Sequence, residues 1–327
     1  MSRTAVLSIL LIAQFALIIL ITTFSGDKLA TFKTDEKLLG LTLNDVSGID
    51  IEDAQQKAAV SLVSENGEWL ISSADNFPVS EAKIKKFLDE FINMEKSWPV
   101  ATTEAAAKGF KVTDNDYNKK ITFKNKDDVK AVLLLGTSPT FRAVNARIAG
   151  KDEIYSLALN AYDVTAKNDD WRDRDLLKVK QEDLEEIAVN NLLLKKNDMV
   201  PGGFALDVLN DNEVMSKDGV LSLVDKVTGL TFLNVLGKEN KSEYQQDKPL
   251  LKFSLKVSGN NIDYLVSEQK NEAKDYVLKA STIPFYFQVA KPAIDALKEV
   301  NREKLVEAKP SETPTATPTV APETATK

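Results

Sequence analysis

The chain has 327 residues, 43% of them hydrophobic, which is enough for two ordinary domains with a core each. Its net charge of −7 argues against a general nucleic-acid binder, because such proteins use a basic face to release the counterions of the phosphate backbone. The absence of His and Cys removes the usual ligands of zinc, haem and iron–sulfur centres, any His-activated nucleophile and all disulfides.

Residues 5–24, AVLSILLIAQFALIILITTF, carry no charge. As a helix they would extend about 30 Å, the thickness of a bilayer core. The run is apolar on every side, so it is read as a membrane span, with Ala5, Leu10, Phe15, Leu20 and Phe24 placed along it. A cleaved signal peptide is the competing reading. The run is longer than a usual signal core, and Thr23-Phe-Ser25 is a poor cleavage site, so an uncleaved anchor over residues 1–26 is expected. Charges flanking the run do not fix its orientation. A short N-terminal stub favours a globular part in the periplasm.

The stretch 35–51, DEKLLGLTLNDVSGIDI, returns as 173–189, DRDLLKVKQEDLEEIAV. At one constant offset Asp35 falls on Asp173, Asp45 on Asp183 and Ile49 on Ile187. Each copy continues into an amphipathic helix with i, i+3, i+4, i+7 spacing: Ile84, Phe87, Leu88 and Phe91, then Val220, Leu223, Val224 and Val227. The first helix is expected over Lys83–Met94 with Ser80 as its N-cap. Turns are expected at Glu65-Asn-Gly67 and at Gly202-Gly203.

Alternating β patterns follow each helix. The first copy has Lys120–Lys124, Val129–Leu135, Val144–Ile148 and Glu153–Leu157. The second has Leu251–Val257, Asn261–Val266, Asp275–Lys279 and Pro284–Val289. Strands grouped around one helix predict an α+β fold of two tandem repeats, 35–168 and 169–307, each a mostly antiparallel sheet with one amphipathic helix. The Pro/Thr-rich residues 308–327 are expected to be a disordered tail, since they offer too little apolar surface to fold.

Chemical motifs are sparse. Thr113-Asp-Asn-Asp-Tyr-Asn118 begins like a calcium loop, yet Lys119 stands where the turn needs Gly and Asn125 where a bidentate Glu belongs; an Asx-rich approach to a hairpin is the better reading. The Ser-x-x-Lys spacing of Ser80 and Lys83 recurs at Ser25 and Ser267 without its partner motifs. Leu135-Gly-Thr-Ser138 lacks the Lys of a phosphate loop. Asn168-Asp-Asp-Trp-Arg-Asp-Arg-Asp175 gathers four carboxylates and two Arg about one Trp, making Trp171, Arg172, Asp173 and Arg174 candidate interdomain or partner contacts. An interdomain hinge accounts for these residues without a ligand.

Trp69-Leu-Ile71 before the helix, Gly109-Phe110, Leu135-Gly136 closing a strand and Trp171-Arg-Asp-Arg-Asp-Leu-Leu177 together resemble the bacterial domain-of-unknown-function family 4340. The resemblance covers about Lys37 to Val289. It implies a membrane-anchored protein encoded beside the ATPase, permease and auxiliary subunit of a gliding-motility-type ABC transporter. The family has no assigned catalytic residues. The resulting expectation is a single-pass inner-membrane protein facing the periplasm, acting as a non-enzymatic accessory, scaffolding or binding part of an envelope transport complex. No cofactor, metal or nucleic acid is expected. The rivals are a periplasmic solute-binding protein, soluble or anchored, and an envelope hydrolase using paired carboxylates or a Ser-Lys dyad.

Overall fold

Alternation of apolar and polar residues in Gly48–Asp53 makes a strand, β1, with Ile49 and Ile51 buried on one face and Asp50 and Glu52 on the other. This computed structural model describes residues 36–309, with Gln14 alone ahead of them. The expected membrane span, Gln14 apart, lies outside the described residues, as does the expected tail 308–327 except for Ala308 and Lys309. Among the described residues, no helix is long and apolar enough to cross a membrane.

The chain forms two compact units that divide between Asp173 and Arg174. In the first unit β1 is followed by β2 (Ala58–Glu65), β3 (Glu68–Ile71), β4 (Phe77–Pro78), helix α1 (Glu81–Ile92) and helix α2 (Glu104–Gly109). Then come β5 (Lys119–Asn125), β6 (Asp128–Leu135), β7 (Val144–Ile148), β8 (Ile154–Leu157) and the single turn α3 (Asn168–Trp171). Eight strands make one antiparallel sheet in the order β4-β3-β2-β1-β5-β6-β7-β8.

The second unit contains β9 (Leu184–Val189), β10 (Leu192–Lys196), β11 (Phe204–Leu206), β12 (Glu213–Met215), helix α4 (Lys217–Thr228) and β13 (Asn234–Gly237). It continues with β14 (Leu251–Val257), β15 (Asn260–Glu268), β16 (Tyr276–Ala280), β17 (Tyr286–Val289), helix α5 (Lys291–Lys298) and β18 (Val306–Ala308). Its sheet runs β11-β10-β9-β14-β15-β16-β17-β13, and β12 pairs separately with β18. The order β3-β2-β1-β5-β6-β7-β8 therefore recurs as β11-β10-β9-β14-β15-β16-β17. The molecule is α+β, with two large antiparallel sheets built on one plan and few helices.

In each unit a helix stripe covers the inner face. Ile84, Phe87, Leu88 and Phe91 are buried in α1, and Phe91 stands 5.8 Å from Phe123 of β5. Val220, Leu223, Val224 and Val227 are buried in α4. Each such side chain contributes about 1.5–3 kcal/mol on burial. Helices this short need that contribution, since isolated ones are marginal in water.

Hairpin turns set the register. Asn66 and Gly67 (φ +54° and +89°) join β2 to β3, and Asn190 and Asn191 (φ +49° and +63°) join β9 to β10, the left-handed pairs that match strand twist. The anticipated Lys83–Met94 helix lies two residues earlier, at Glu81–Ile92. Its N-cap is Ser80 through the backbone: the Ser80 carbonyl accepts from the Lys83 and Ile84 N–H groups, and the hydroxyl makes no capping bond. The strand anticipated over Pro284–Val289 starts at Tyr286, beyond Pro284, which has no N–H to give a ladder.

Candidate functional site

The outer faces of the two sheets begin from matching rows. In the first, Lys120, Leu134, Arg147 and Ile154 lie side by side, with Glu52 opposite Lys120. In the second, Lys252, Leu265, Lys279 and Tyr286 do the same. The constant offset that puts Ile49 on Ile187 puts Asp50 on Ala188 and Glu52 on Asn190.

The two faces are then filled differently. In the first sheet Lys120 reaches Glu52 at 2.6 Å, the Tyr117 hydroxyl donates to Glu52 at 2.8 Å, and Lys124 pairs with Asp50. Burial pushes the Glu52 carboxyl up, but the hydrogen bonds from Lys120 and Tyr117 outweigh it and hold the group below the usual range. The same bond raises Lys120. Above this row, helix α2 and the residues after it bring Ala107 and Val112 onto Leu134 and Ile154. Arg147 donates to the Val112 carbonyl and to Asp114 at 2.8 Å. The first face is closed.

In the second unit the connection after α4 settles elsewhere. Tyr244 packs on Val277 and Tyr286, with its hydroxyl donating to the Leu236 carbonyl at 3.1 Å. Gln246 donates to Ser267 beside it. The row stays uncovered at Lys252 and Leu265, leaving a groove of about 760 Å³ floored by Ala188, Leu193, Ser254 and Leu265 and flanked by Lys252, Lys279 and the carboxylate of Asp263. Lys279 is half-buried; its Nζ donates to the carbonyls of Ala280 and Ile283 and lies 5.4 Å over the Tyr286 ring. Burial pushes its pKa down. Among the described residues no carboxylate forms an ion pair with Lys252 or Lys279. An aliphatic floor with two cations at its side suits an occupant that is apolar along one face and acidic beside it.

A smaller concavity, about 460 Å³, opens in the first unit between α1 and Trp171. Ser80 and Lys83 both line it. Lys83 gives its hydrogen bond to the Asp170 carbonyl at 2.6 Å and sits 4.9 Å over the Trp171 ring. Burial lowers the Lys83 pKa against the pull of Asp170 and Asp163, and burial raises that of Glu90.

The sequence-derived contact residues take distinct places. Trp171 is fully buried in the first unit, edge-on to Phe87 at 5.2 Å, with Nε1 donating to the Thr165 carbonyl at 2.9 Å. Arg172 pairs with Asp169 and lies over the Phe77 ring. The Asp173 N–H donates to the Pro78 carbonyl at 3.0 Å. Arg174 belongs to the second unit, where it donates to the Leu233 carbonyl and covers Phe232. Ala5, Leu10, Phe15, Leu20 and Phe24 lie outside the described residues. In the calcium-like stretch, Asp114 is held by Arg147, and Thr113 closes a turn onto Asp116. Among the described residues, no group of three or more Asp or Glu is gathered to hold a metal ion. The groove residues Lys252, Leu265 and Lys279 were missed in the sequence, although the acid-to-neutral changes at Ala188 and Asn190 were visible one step along the aligned stretch.

No curated protein and no solved structure matches the chain. The family described as domain of unknown function DUF4340 matches residues 69–249, more than half of the chain, from the strand that carries Trp69 to the edge of the groove. The protein belongs to the DUF4340 family.

Proposed function

We propose that this protein is a non-enzymatic accessory and binding component of an ABC-type envelope transport complex. Residues 1–26 anchor it in the inner membrane, and its two units, copies of one ancestral domain, face the periplasm. The first copy is the scaffold. The second presents the groove over Leu265 to an extended, acidic segment of a partner subunit, the permease or its auxiliary protein.

The observation that supports this reading is the contrast between the two outer faces. One plan yields a face closed by Glu52, Lys120 and Tyr117 in one unit and, in the other, an open groove whose lysines form no ion pair among the described residues, although Asp263 also lines it. Leaving the half-buried Lys279 and the exposed Lys252 without an ion-pair partner gives up stabilisation that the first copy has, and an external acid restores it.

The test is affinity purification of the full chain from mild detergent. Wild type is expected to bring down an ATPase and a permease in stoichiometric amounts. Leu265→Arg, on the open face, is expected to lose them while the circular dichroism and unfolding midpoint stay put. A wild-type chain that comes down alone refutes the transport complex. Partners retained by Leu265→Arg refute the groove as their seat.

A further inference from the structure

A third concavity, about 600 Å³, lies in the first unit where the described chain begins. Its walls are Glu36–Gly40, the start of β6 from Val129 to Val132, and the β7–β8 turn with Lys151 and Glu153. The segment is fixed there by its backbone: the Leu38 N–H donates to the Met94 carbonyl at 2.7 Å and the Lys96 N–H to the Glu36 carbonyl at 2.8 Å. Four lysines ring the concavity, Lys37, Lys96, Lys130 and Lys151, against Glu36 and Glu153. Among the lining residues lysines thus outnumber acids in a chain of net charge −7, with Glu95, Asp128 and Asp152 adjoining them in sequence. Lys37 donates to the Asn93 carbonyl at 3.2 Å, Lys96 meets Glu36 at 3.5 Å with Tyr155 and Glu153 also acting on its charge, and Lys130 meets Asp128 at 3.7 Å. Apolar side chains stand out in and beside this ring. Val129 in the wall is 57% exposed, and Trp98, two residues along from Lys96, is 71% exposed.

What precedes this face in the chain indicates its partner. Only residues 25–35 separate the uncharged run 5–24 from Glu36. Eleven residues span at most about 40 Å even when fully extended. Lysines attract anionic headgroups, and an exposed Trp is the side chain that seats at the headgroup level. We propose that the face formed by Lys37, Lys96, Lys130 and Lys151 with Trp98 and Val129 docks on an anionic phospholipid surface, laying the first unit against the membrane. The proposal rests on the anchor reading for its geometry. A protein surface is the competing occupant.

The experiment uses the full chain reconstituted in vesicles of phosphatidylcholine, alone or mixed with phosphatidylglycerol, with brominated acyl chains as tryptophan quenchers. The chain has three Trp, of which Trp171 is fully buried and Trp69 half-buried. Quenching is expected only with the anionic mixture, is expected to fade with added salt, and should vanish in Trp98→Phe. Lys130→Glu and Lys151→Glu, both at exposed positions, are expected to lower the docked population roughly fivefold each. Equal quenching in neutral and anionic vesicles, or none in either, overturns the docking face. Protection of Trp98 in neutral lipid that appears only when a copurified subunit is added overturns it in favour of a protein partner. The anchor is read separately, as retention on vesicles through an alkaline wash. A chain stripped by the wash refutes the anchor, while salt-sensitive quenching by anionic vesicles still upholds the face and its absence refutes it.

Discussion

Trp171→Ala tests whether the charged cluster at 168–175 is a docking element or part of a core. The indole is fully buried, edge-on to Phe87 at 5.2 Å, hydrogen-bonded to the Thr165 carbonyl at 2.9 Å and covered by Lys83 at 4.9 Å. Trp-to-Ala truncation in a core costs about 3–5 kcal/mol, and the edge-to-face pair accounts for about 0.5–1.5 of such a loss. The carbonyl of Thr165 also loses its donor. A cost of about 4 kcal/mol corresponds to roughly a thousandfold loss of amide protection. Trp171→Phe keeps a ring against Phe87 and loses the Nε1–H bond, at about 1–2 kcal/mol. The assay is hydrogen exchange of the detergent-solubilised full chain, read on peptides from β5 and β6, under conditions where opening is in rapid equilibrium. If Trp171→Ala lowers protection there by less than tenfold, or if Phe costs as much as Ala, the core role assigned to this residue is wrong.

Three further outcomes are expected. Glu213 accepts from both Arg302 and the Asn210 N–H, and the Arg302 bonds hold its pKa at about 2, below the ordinary 4.5. A depressed carboxylate stabilises the fold fully above its unfolded pKa and loses that contribution as pH falls from 4.5 through about 2; Glu213→Gln should flatten this part of the unfolding midpoint's pH profile. Asn190 has φ +49°, and its amide donates to the carbonyls of Leu297, Lys298 and Val300 at the end of α5. Asn190→Ala should cost about 2 kcal/mol in urea unfolding and Asn190→Gly about 1, because Gly restores the left-handed backbone but not the cap. Gly219→Ala within α4 would ordinarily stabilise by about 1 kcal/mol. Here the added Cβ would meet the Lys304 carbonyl oxygen at 1.8 Å, so the unfolding temperature should fall, whereas Gly109→Ala, with open space around it, should not lower it.

Strands with period-two alternation were legible in the sequence to within a residue or two: Val144–Ile148 and Leu251–Val257 carry the same bounds in the structure. Both helix stripes were equally plain, because four apolar residues at helical spacing leave one face to bury. Strands β12, β13 and β18 were not visible, since three or four residues hold too little pattern and their pairing depends on distant segments. In the sequence Trp171 reads as an interdomain or partner contact, with a hinge accounting for it without a ligand. The ring packs within the first unit, and of its charged neighbours Asp169, Asp170, Arg174 and Asp175 are exposed. The groove needed tertiary information: that Tyr244 packs over Val277 and Tyr286, leaving the Leu265 row open, follows from no local motif.

The charge balance constrains how such a groove would work. With a net charge of −7 the whole-chain field opposes an acidic partner at long range, so Lys252 and Lys279 cannot steer the encounter from beyond a screening length of about 8–10 Å. Affinity then has to come from apolar contact with Leu193, Ala188 and Leu265, and the lysines act at short range to fix register. In the first unit that ordering is reversed. Glu52 and Asp50 already hold Lys120 and Lys124, and α2 already covers Leu134, so neither the cations nor the aliphatic row is left for another molecule. On a shared order of seven strands, the change from Glu52 to Asn190 and a different course of the connecting segment accompany the difference between a closed and an open face; Lys256, at the place of Lys124, keeps acidic partners in Glu185 and Glu186.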